Sequence, residues 1–205
     1  SHYAFELAKQ AEEAGADSFM ALCPYYFHHK DEGIYEHFKM LGRVGIPYII
    51  YNLPRFTGYD ISPRIVAKLS EDCNLVGIKE STSNLAHINE IVTLCGGKIS
   101  VLAGSFESFL PTLIMGGRGC ITGFINTIPR IHVDLYEFFE RGDLKKTQEL
   151  YNKIFPLWNL ISIAMVKESL NILGYKVGQP RKPLLPAIED EKRKLREVLR
   201  SLEVI

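Results

Sequence analysis

Five short runs of apolar residues alternate with segments in which apolar positions recur at helical spacing. The runs are apolar throughout, a pattern typical of parallel strands that are covered on both faces. They end at intervals that suit a strand, a crossover helix and two short loops. The sequence therefore predicts βα units with strands at Ser18–Cys23, Tyr48–Tyr51, Leu75–Ile78, Ile99–Ala103 and Gly119–Thr122.

The segments between these runs predict helices. Ser62 with Pro63, and Asn84, are typical of helix starts, whereas Gly15 and Gly45 are typical of helix ends. After residue 123 the pattern becomes helical, with a connector rich in glycine and proline over 174–186. The predicted helices cover about 3–14, 31–44, 62–72, 84–95, 105–116, 129–141, 143–173 and 189–202.

The count of βα units limits the possible folds. A (β/α)8 barrel has eight units and about 250 residues, whereas this chain has 205 residues, many of them in the helical C-terminal part. We expect an α/β TIM barrel that lacks its N-terminal units here, with an exposed edge at the strand near 18–23. A native open sheet of five strands is the alternative. The expected domains are 1–128, a partial barrel, and 129–205, the last barrel helix with a C-terminal helical domain.

Two residues at the ends of predicted strands are candidates for catalysis. Tyr51 closes one apolar run and Lys79 follows the next, so parallel pairing would bring them together at one edge of the sheet. A lysine held partly away from water favours its neutral amine, which is a nucleophile that forms Schiff bases with ketones. A lysine that follows a strand is more often a surface residue, and the matched placement of Tyr51 is what favours the catalytic interpretation.

Composition excludes several classes of partner. Lys and Arg total 24 and Asp and Glu total 24, and this balance argues against nucleic acid or an anionic membrane as the main partner. No apolar stretch is long enough to span a bilayer. The cysteines at 23, 73, 95 and 120 have no metal-binding spacing, and we expect buried, reduced thiols in a cytoplasmic protein. His28 and His29 are adjacent in a predicted loop without a matching carboxylate pattern, so no metal site is expected.

Several motifs, in order along the chain, resemble the dihydrodipicolinate synthase/N-acetylneuraminate lyase family, whose members are class I Schiff-base aldolases. The resemblance covers essentially the whole chain. It implies a (β/α)8 barrel with a C-terminal helical domain, usually in a homotetramer, and no cofactor. The matching segments are Cys23-Pro24-Tyr25-Tyr26, Tyr51-Asn52-Leu53-Pro54 with Thr57-Gly58, Gly77-Ile78-Lys79-Glu80 and Gly116 to Gly123, followed by Asn126, Pro129, Gly174, Gly178, Arg181 and Pro183.

The resemblance also implies roles for individual residues. Lys79 would form the Schiff base with pyruvate or another 2-oxo acid, and Tyr51 would shuttle protons. Tyr26 matches a tyrosine that synthases of the family lend across a subunit interface, and Ile121 matches a residue whose carbonyl faces the site. The family's threonine pair for the pyruvate carboxylate lies after an early strand that this chain does not contain. Thr57, Gly104 and Gly123 complete the predicted substrate-binding set.

One position bears on the second substrate. Synthases of the family have an arginine before the threonine matched by Thr57, which binds the carboxylate of the incoming aldehyde, whereas this chain has Phe56 there and Arg55 one place earlier. An apolar ring favours a neutral aldehyde, and so a 2-keto-3-deoxygluconate-type aldolase acting on pyruvate and an aldehyde. The alternative is a 4-hydroxy-tetrahydrodipicolinate synthase. A related dehydratase or an inactive truncated barrel also remains open.

Overall fold

The computed structural model describes residues 1–72 and 74–205 and divides the chain into two compact units. Unit 1 is Ser1–Ile121 and unit 2 is Thr122–Ile205. Unit 1 has an α/β fold with a parallel sheet. The domain boundary expected after residue 128 stays a prediction.

The sheet of unit 1 has its strands in chain order. They are β1 (Phe19–Leu22), β2 (Tyr48–Asn52), β3 (Leu75–Glu80), β4 (Ser100–Ala103) and β5 (Gly119–Cys120). All neighbours pair in parallel. The five predicted strands are therefore confirmed, and β1 lies at one end of the order, as expected for the strand near 18–23. A register shift between Tyr48 and Ile49 sets the pairing of β2 with β3.

The helices of unit 1 follow the strands as predicted, with two differences. They are α1 (His2–Glu13), α2 (Asp31–Leu41), α3 (Pro54–Thr57), α4 (Pro63–Asp72), α5 (Leu85–Cys95) and α6 (Phe109–Ile114). The sequence pattern missed α3, a single turn that begins with a proline and ends at Gly58 with φ 72°. Helix α6 is shorter than the predicted 105–116, because the Ser105 and Ser108 side chains hydrogen-bond to each other in a turn before it.

Burial alternates along β1, β2 and β4. On one face, Tyr48, Ile50 and Asn52 of β2 are fully buried, and the core forms there against apolar side chains of α2, α4 and α5. On the other face, Met20 and Leu22 of β1 are 40% and 36% exposed. The expectation that the strands are covered on both faces is therefore wrong for β1. An apolar run shows that residues favour burial, but it does not show which neighbour covers them.

Unit 2 is helical. A 3-10 turn (Phe124–Asn126) precedes α7 (Pro129–Glu140), α8 (Leu144–Trp158), α9 (Ile163–Ile172) and α10 (Glu189–Ser201). The predicted helical stretch 143–173 is divided near Ser162, whose hydroxyl accepts a hydrogen bond from the Met165 N–H at the start of α9. Trp158 is buried and meets Phe124 edge to face, with ring centroids 5.6 Å apart. None of the described helices combines the length and the apolar character needed to cross a membrane.

Candidate active site

Lys79 and Tyr51 meet at the carboxyl end of the sheet. They are direct partners in the β2–β3 register, and the Lys79 amine lies 3.9 Å from the centroid of the Tyr51 ring. Both side chains are half-buried on the face opposite the helix-packed core. A cation above an aromatic ring is attracted by the negative potential of the ring face. The two predicted residues are therefore placed side by side, where both remain within reach of a small molecule.

The next residue of each strand points to the other face. Asn52 and Glu80 are register partners and are fully buried. The Asn52 amide donates to both Glu80 carboxylate oxygens, at 2.8 and 3.0 Å. Hydrogen bonds to a charged partner contribute about 1.5–3 kcal/mol. This pair cross-links β2 to β3 immediately beside Tyr51 and Lys79.

Three further groups complete a polar cluster around Glu80. The Asn52 amide also donates to Asp60 at 2.6 Å, and the backbone N–H of Thr82 donates to Glu80 at 3.0 Å. The Nε2 atom of His87, on α5, lies 3.5 Å from Asp60 and 3.6 Å from Glu80. These two distances exceed those of hydrogen bonds, so His87 acts on the carboxylates through its charge.

The carboxylates change the protonation of His87. Its contact with Glu80 raises the pKa of His87 against the opposing effect of burial, and the charges of Asp60 and Glu90 act in the same direction as Glu80. The His87 side chain is 10% exposed, that of Glu80 is fully buried and that of Asp60 is 40% exposed. The cluster thus places an imidazole with a raised pKa beside two carboxyl groups, one deep and one at the rim.

The same three groups are the only described set of His, Cys, Asp and Glu side chains close enough to share a metal ion, with their ligand atoms within 4.8 Å of one another. The Asn52 amide already directs hydrogens at both carboxylates, and a metal ion would face those hydrogens. We interpret the set as an ion-pair cluster. The absence of a metal site stays a prediction.

Tyr26 and Thr57 do not join Lys79 through any described contact. The Tyr26 side chain is 87% exposed, its φ is 84°, and its ring meets Phe27 edge to face at 4.8 Å. Thr57 is buried, and its hydroxyl lies 3.1 Å from the Leu53 carbonyl and 3.0 Å from the Tyr59 carbonyl. The Thr57 side chain therefore closes the turn after α3, and the substrate-binding roles of both residues stay predictions.

Gly104 lies where a side chain has no room. A Cβ added there would stand 1.8 Å from the Ser81 hydroxyl oxygen and 2.9 Å from the Glu80 carbonyl oxygen. The Gly104 N–H donates to that carbonyl at 2.6 Å. Close packing of β4 against the end of β3 thus explains this glycine, and its predicted contact with substrate stays a prediction.

The last two predicted residues lie at the ends of the two units. The Ile121 N–H continues the β4–β5 pairing by donating to Ala103 at 2.9 Å. Gly123 belongs to unit 2, where a Cβ would make ordinary contacts with Val166 at 3.6 Å and Ile161 at 3.9 Å. A Cβ atom would therefore fit at position 123, and lack of space does not explain the glycine there.

Phe56, the position that bears on substrate choice, is 73% exposed on α3. The Arg55 guanidinium lies over its ring, 5.6 Å from the centroid. The arginine is thus held beside the aromatic side chain instead of taking its place. The structure keeps the two positions distinct, as the one-residue shift in the sequence indicates.

The described cysteines are free thiols, with Cys23 and Cys95 buried and Cys120 half-buried. Burial raises the pKa of Cys95 to about 11 and that of Cys120 to about 12. Such thiols are protonated at neutral pH and are poor nucleophiles. Cys73 lies outside the described residues.

Asn52 and Glu80 belong to the matching sequence motifs but were given no role. Asp60 and His87 were not predicted as site residues. The sequence contains part of the information needed to predict this cluster. Each of Asn52 and Glu80 follows a candidate catalytic residue by one position, and strand alternation sends it to the opposite face. A polar residue in a buried strand needs a partner, which strand register alone would have supplied.

Comparisons with known proteins agree with the predicted family. The family model described as "Dihydrodipicolinate synthetase family" matches residues 2–202. A 4-hydroxy-tetrahydrodipicolinate synthase of Archaeoglobus fulgidus is 37% identical over 204 residues, which cover 97% of this chain and 71% of that relative. A second synthase with that name, from Thermodesulfovibrio yellowstonii, is 37% identical over 207 residues and is covered to 71%.

Solved structures have the same fold. The dihydrodipicolinate synthase from Aquifex aeolicus superposes with a TM-score of 0.93 at 35% identity, covering 99% of this chain and 71% of that one. A prophage protein of the dihydrodipicolinic acid synthase family from E. coli K12, solved in complex with pyruvate, has a TM-score of 0.91 at 27% identity, covering 98% and 71%. The chain therefore belongs to the dihydrodipicolinate synthetase family, whose members are pyruvate-dependent class I lyases.

Proposed function

We propose that Lys79 forms a Schiff base with pyruvate and that the enzyme then forms or breaks a carbon–carbon bond at the pyruvate methyl carbon. One observation carries this proposal. The amine of Lys79 lies 3.9 Å from the centroid of the Tyr51 ring, at the matched ends of two parallel strands. A nucleophile beside a proton-transfer group, both on rigid strands, is what this chemistry requires.

In the proposed reaction, the neutral amine of Lys79 attacks the ketone carbon of pyruvate, and loss of water leaves an iminium ion. The positive nitrogen accepts electrons when a methyl proton leaves, giving an enamine. The enamine carbon attacks the carbonyl carbon of an aldehyde, whose oxygen gains a proton, and hydrolysis frees the product and Lys79. The reverse order cleaves a 2-oxo acid. Tyr51 supplies and accepts the protons at the oxygen atoms, because its side chain carries a hydroxyl and its ring lies 3.9 Å from the amine.

The first candidate for the whole reaction is 4-hydroxy-tetrahydrodipicolinate synthesis, in which the aldehyde carries a carboxylate. The similar relatives with this name support it, with 37% identity across nearly the whole chain. This reaction was the alternative at the level of sequence, and the comparisons favour it over a sugar-acid aldolase.

The second candidate is an aldolase for 2-keto-3-deoxy sugar acids, whose aldehyde is a neutral polyol. Phe56 supports it, because an exposed aromatic ring occupies the position at which the family's synthases have an arginine. A planar guanidinium can bind a carboxylate with two parallel hydrogen bonds, and an aromatic ring cannot. The stacking of Arg55 on Phe56 keeps that arginine at a different place.

Trapping of the adduct tests the shared chemistry. Borohydride reduction in the presence of pyruvate should attach the pyruvate carbon skeleton to Lys79, as peptide mass spectrometry would reveal. Lys79→Ala should abolish both the adduct and turnover, because no other described residue takes the same place beside Tyr51. Lys98→Ala is the matched control, since Lys98 is an exposed lysine paired with Glu71. An adduct on another lysine, or none, would contradict the proposal.

Paired kinetics separate the two candidates. Turnover of pyruvate should be measured with glyceraldehyde and with an acidic semialdehyde. Phe56→Arg should raise the preference for the semialdehyde by about tenfold or more, since a charge-assisted hydrogen bond contributes about 1.5–3 kcal/mol. Phe56→Leu removes the ring without adding a cation and should not produce this shift. A wild-type enzyme that prefers the semialdehyde supports the synthase, and one that prefers glyceraldehyde supports the aldolase.

The wider architecture completes the proposal. The five strands would be strands four to eight of the family's (β/α)8 barrel, with 1–128 as the partial barrel and 129–205 as the last helix and helical domain. Ile121, Thr57, Gly104 and Gly123 would lie around the substrate, and Tyr26 would act across a subunit contact of a cytoplasmic homotetramer. Sedimentation of the complete protein tests the tetramer. A monomer that is fully active would contradict the role of Tyr26.

A further inference from the structure

The cluster behind the candidate active site has two carboxylates and one cationic partner. Glu80 is fully buried, and among the described residues only His87 lies within ion-pair distance of it. Removal of one partner of a buried ion pair leaves the other charge without compensation. The charge on His87 therefore decides whether the Glu80 carboxylate is compensated.

The cluster is coupled to the candidate site through the backbone of two strands. Asn52 and Glu80 each follow directly after Tyr51 and Lys79, and the hydrogen bonds between them fix β2 against β3 at this level. The amide oxygen of Asn52 accepts a hydrogen bond from the Ile61 N–H at 3.1 Å, which also ties the segment before α4 to the cluster. A change in the Glu80 carboxylate thus acts one residue away from both candidate catalytic groups.

We propose that protonated His87 is a positioning residue, which holds the Asn52–Glu80 cross-link and thereby sets the distance between Lys79 and Tyr51 on the opposite face. The inference rests on the proposed function of Lys79. Loss of the proton from His87 leaves the carboxylates of Glu80 and Asp60 on either side of the Asn52 amide without a cation between them, and like charges repel. The strands then lose the spacing that places the amine beside the ring.

Few charged groups act on His87. The charged groups that act on it are Glu80 from β3, Asp60 from the segment before α4 and Glu90 from its own helix. On α4, which packs against α5, Glu71 is paired with Lys98, and Lys68 lies over the ring of Tyr35. Helix α6, which also packs there, has no charged residue over Phe109–Ile114.

The sign of the pH dependence follows from the raised pKa of His87. The group is protonated in the folded protein below its usual value of 6.5 and remains so somewhat above it. The cross-link should therefore be held at and below pH 6.5 and be weakened as pH rises through the raised pKa. Catalysis should then lose rate on the alkaline side as His87 deprotonates.

Exchange of the pyruvate methyl protons with deuterium from solvent tests this role, because it needs the iminium and enamine but no aldehyde. In the complete protein, NMR would follow both the exchange rate and the titration of the His87 ring. The wild-type rate should fall as the His87 signal titrates. His87→Arg keeps a cation and should remove that fall, whereas His87→Gln should be slower by about tenfold at pH 6.5, since 1 Å of misplacement costs up to about a hundredfold. The loss should fall on kcat and leave KM for pyruvate nearly unchanged.

Matched variants separate positioning from general damage. Glu6→Gln removes a carboxylate from an exposed site on α1 that does not act on His87, and it should leave the rate unchanged. Glu80→Gln combined with His87→Gln should lose less than the sum of the single losses, because a neutral amide needs no cation. Urea unfolding at pH 6.5 checks that each variant is folded. If His87→Gln does not fold, His87→Arg alone tests the inference.

The outcomes distinguish the inference from the proposed function. A wild-type protein with neither exchange nor adduct at any pH contradicts the proposed function and with it this role. Exchange that is the same in wild type, His87→Arg and His87→Gln contradicts the inference alone. A rate that falls with EDTA and returns with Zn²⁺ also overturns it, because the cation of the cluster would then be a metal. An exchange rate that does not fall at alkaline pH in His87→Arg supports the inference.

Discussion

The β2–β3 strand pair carries two polar pairs, one residue apart, that differ in every physical respect. Tyr51 and Lys79 are half-buried and meet through a ring contact, whereas Asn52 and Glu80 are fully buried and are joined by hydrogen bonds. In the proposed reaction the first pair has to reach a substrate, and its half-buried side chains remain accessible. The second pair cannot reach water, so its polar atoms are satisfied within the protein. Strand alternation thus separates reactivity from support at the same level of the sheet.

The largest effect should come from the accessible pair. Tyr51→Phe keeps the ring beneath the Lys79 amine but removes the hydroxyl, so the borohydride-trapped adduct should still form. Turnover should fall by about 10²–10⁴-fold, the usual contribution of a positioned acid–base group. Burst kinetics with mass spectrometry would measure both steps. Tyr59→Phe is the control, because Tyr59 lies in the same unit but its hydroxyl donates to Asp31. Equal losses in both variants would show that Tyr51 has no special role.

Substitutions on the two faces of the sheet should also differ in their effect on the free energy of unfolding. Glu80→Ala removes the partner of Asn52 and His87 and should lower the free energy of unfolding by about 3–5 kcal/mol. Lys79→Ala removes a half-buried side chain that holds no buried network and should change it by less than about 1 kcal/mol, although it abolishes turnover. Urea titrations of both variants at pH 6.5 provide the measurement. If Lys79→Ala were the more destabilising, the division between a reactive face and a supporting face would be incorrect.

The comparison also shows why the sequence predicts a role for the residues of one face and none for those of the other. Lys79 and Tyr51 were predicted because each ends an apolar run, a feature that is visible along the chain. The hydrogen bonds between Asn52 and Glu80 depend on the pairing register of β2 with β3. The shift between Tyr48 and Ile49 sets that register, and the hydrophobic pattern of the sequence does not reveal it.

Local chemistry explains the other differences from prediction. Helix α3 has four residues, fewer than the length over which a helical period can be detected. His87 joins the cluster through the packing of α5 on the sheet, a contact distant from Asp60 in sequence. The five strands and their order were predictable because each is apolar along its length, with turn residues at its ends.

The smallest effect should come from the rim of the buried cluster. Asp60→Asn keeps a similar shape but removes the carboxylate that is 40% exposed, so it should cost only about 0.5–1.5 kcal/mol, as for one hydrogen bond. The charge of Asp60 contributes to raising the pKa of His87, so the NMR titration of His87 should move to lower pH in this variant, towards 6.5.

The pH dependence of stability provides the sharper measurement on this variant. A raised pKa in the folded state stabilises the protein below the unfolded value of 6.5 and loses that contribution as pH rises through the folded value. The loss should therefore begin at lower pH in Asp60→Asn than in the wild type. The buried His37 does not interfere, because burial lowers its pKa to about 4, outside this window. Unfolding midpoints between pH 6 and pH 9 that coincide for the two proteins would mean that Glu80 alone, and not the pair of carboxylates, sets the charge on His87.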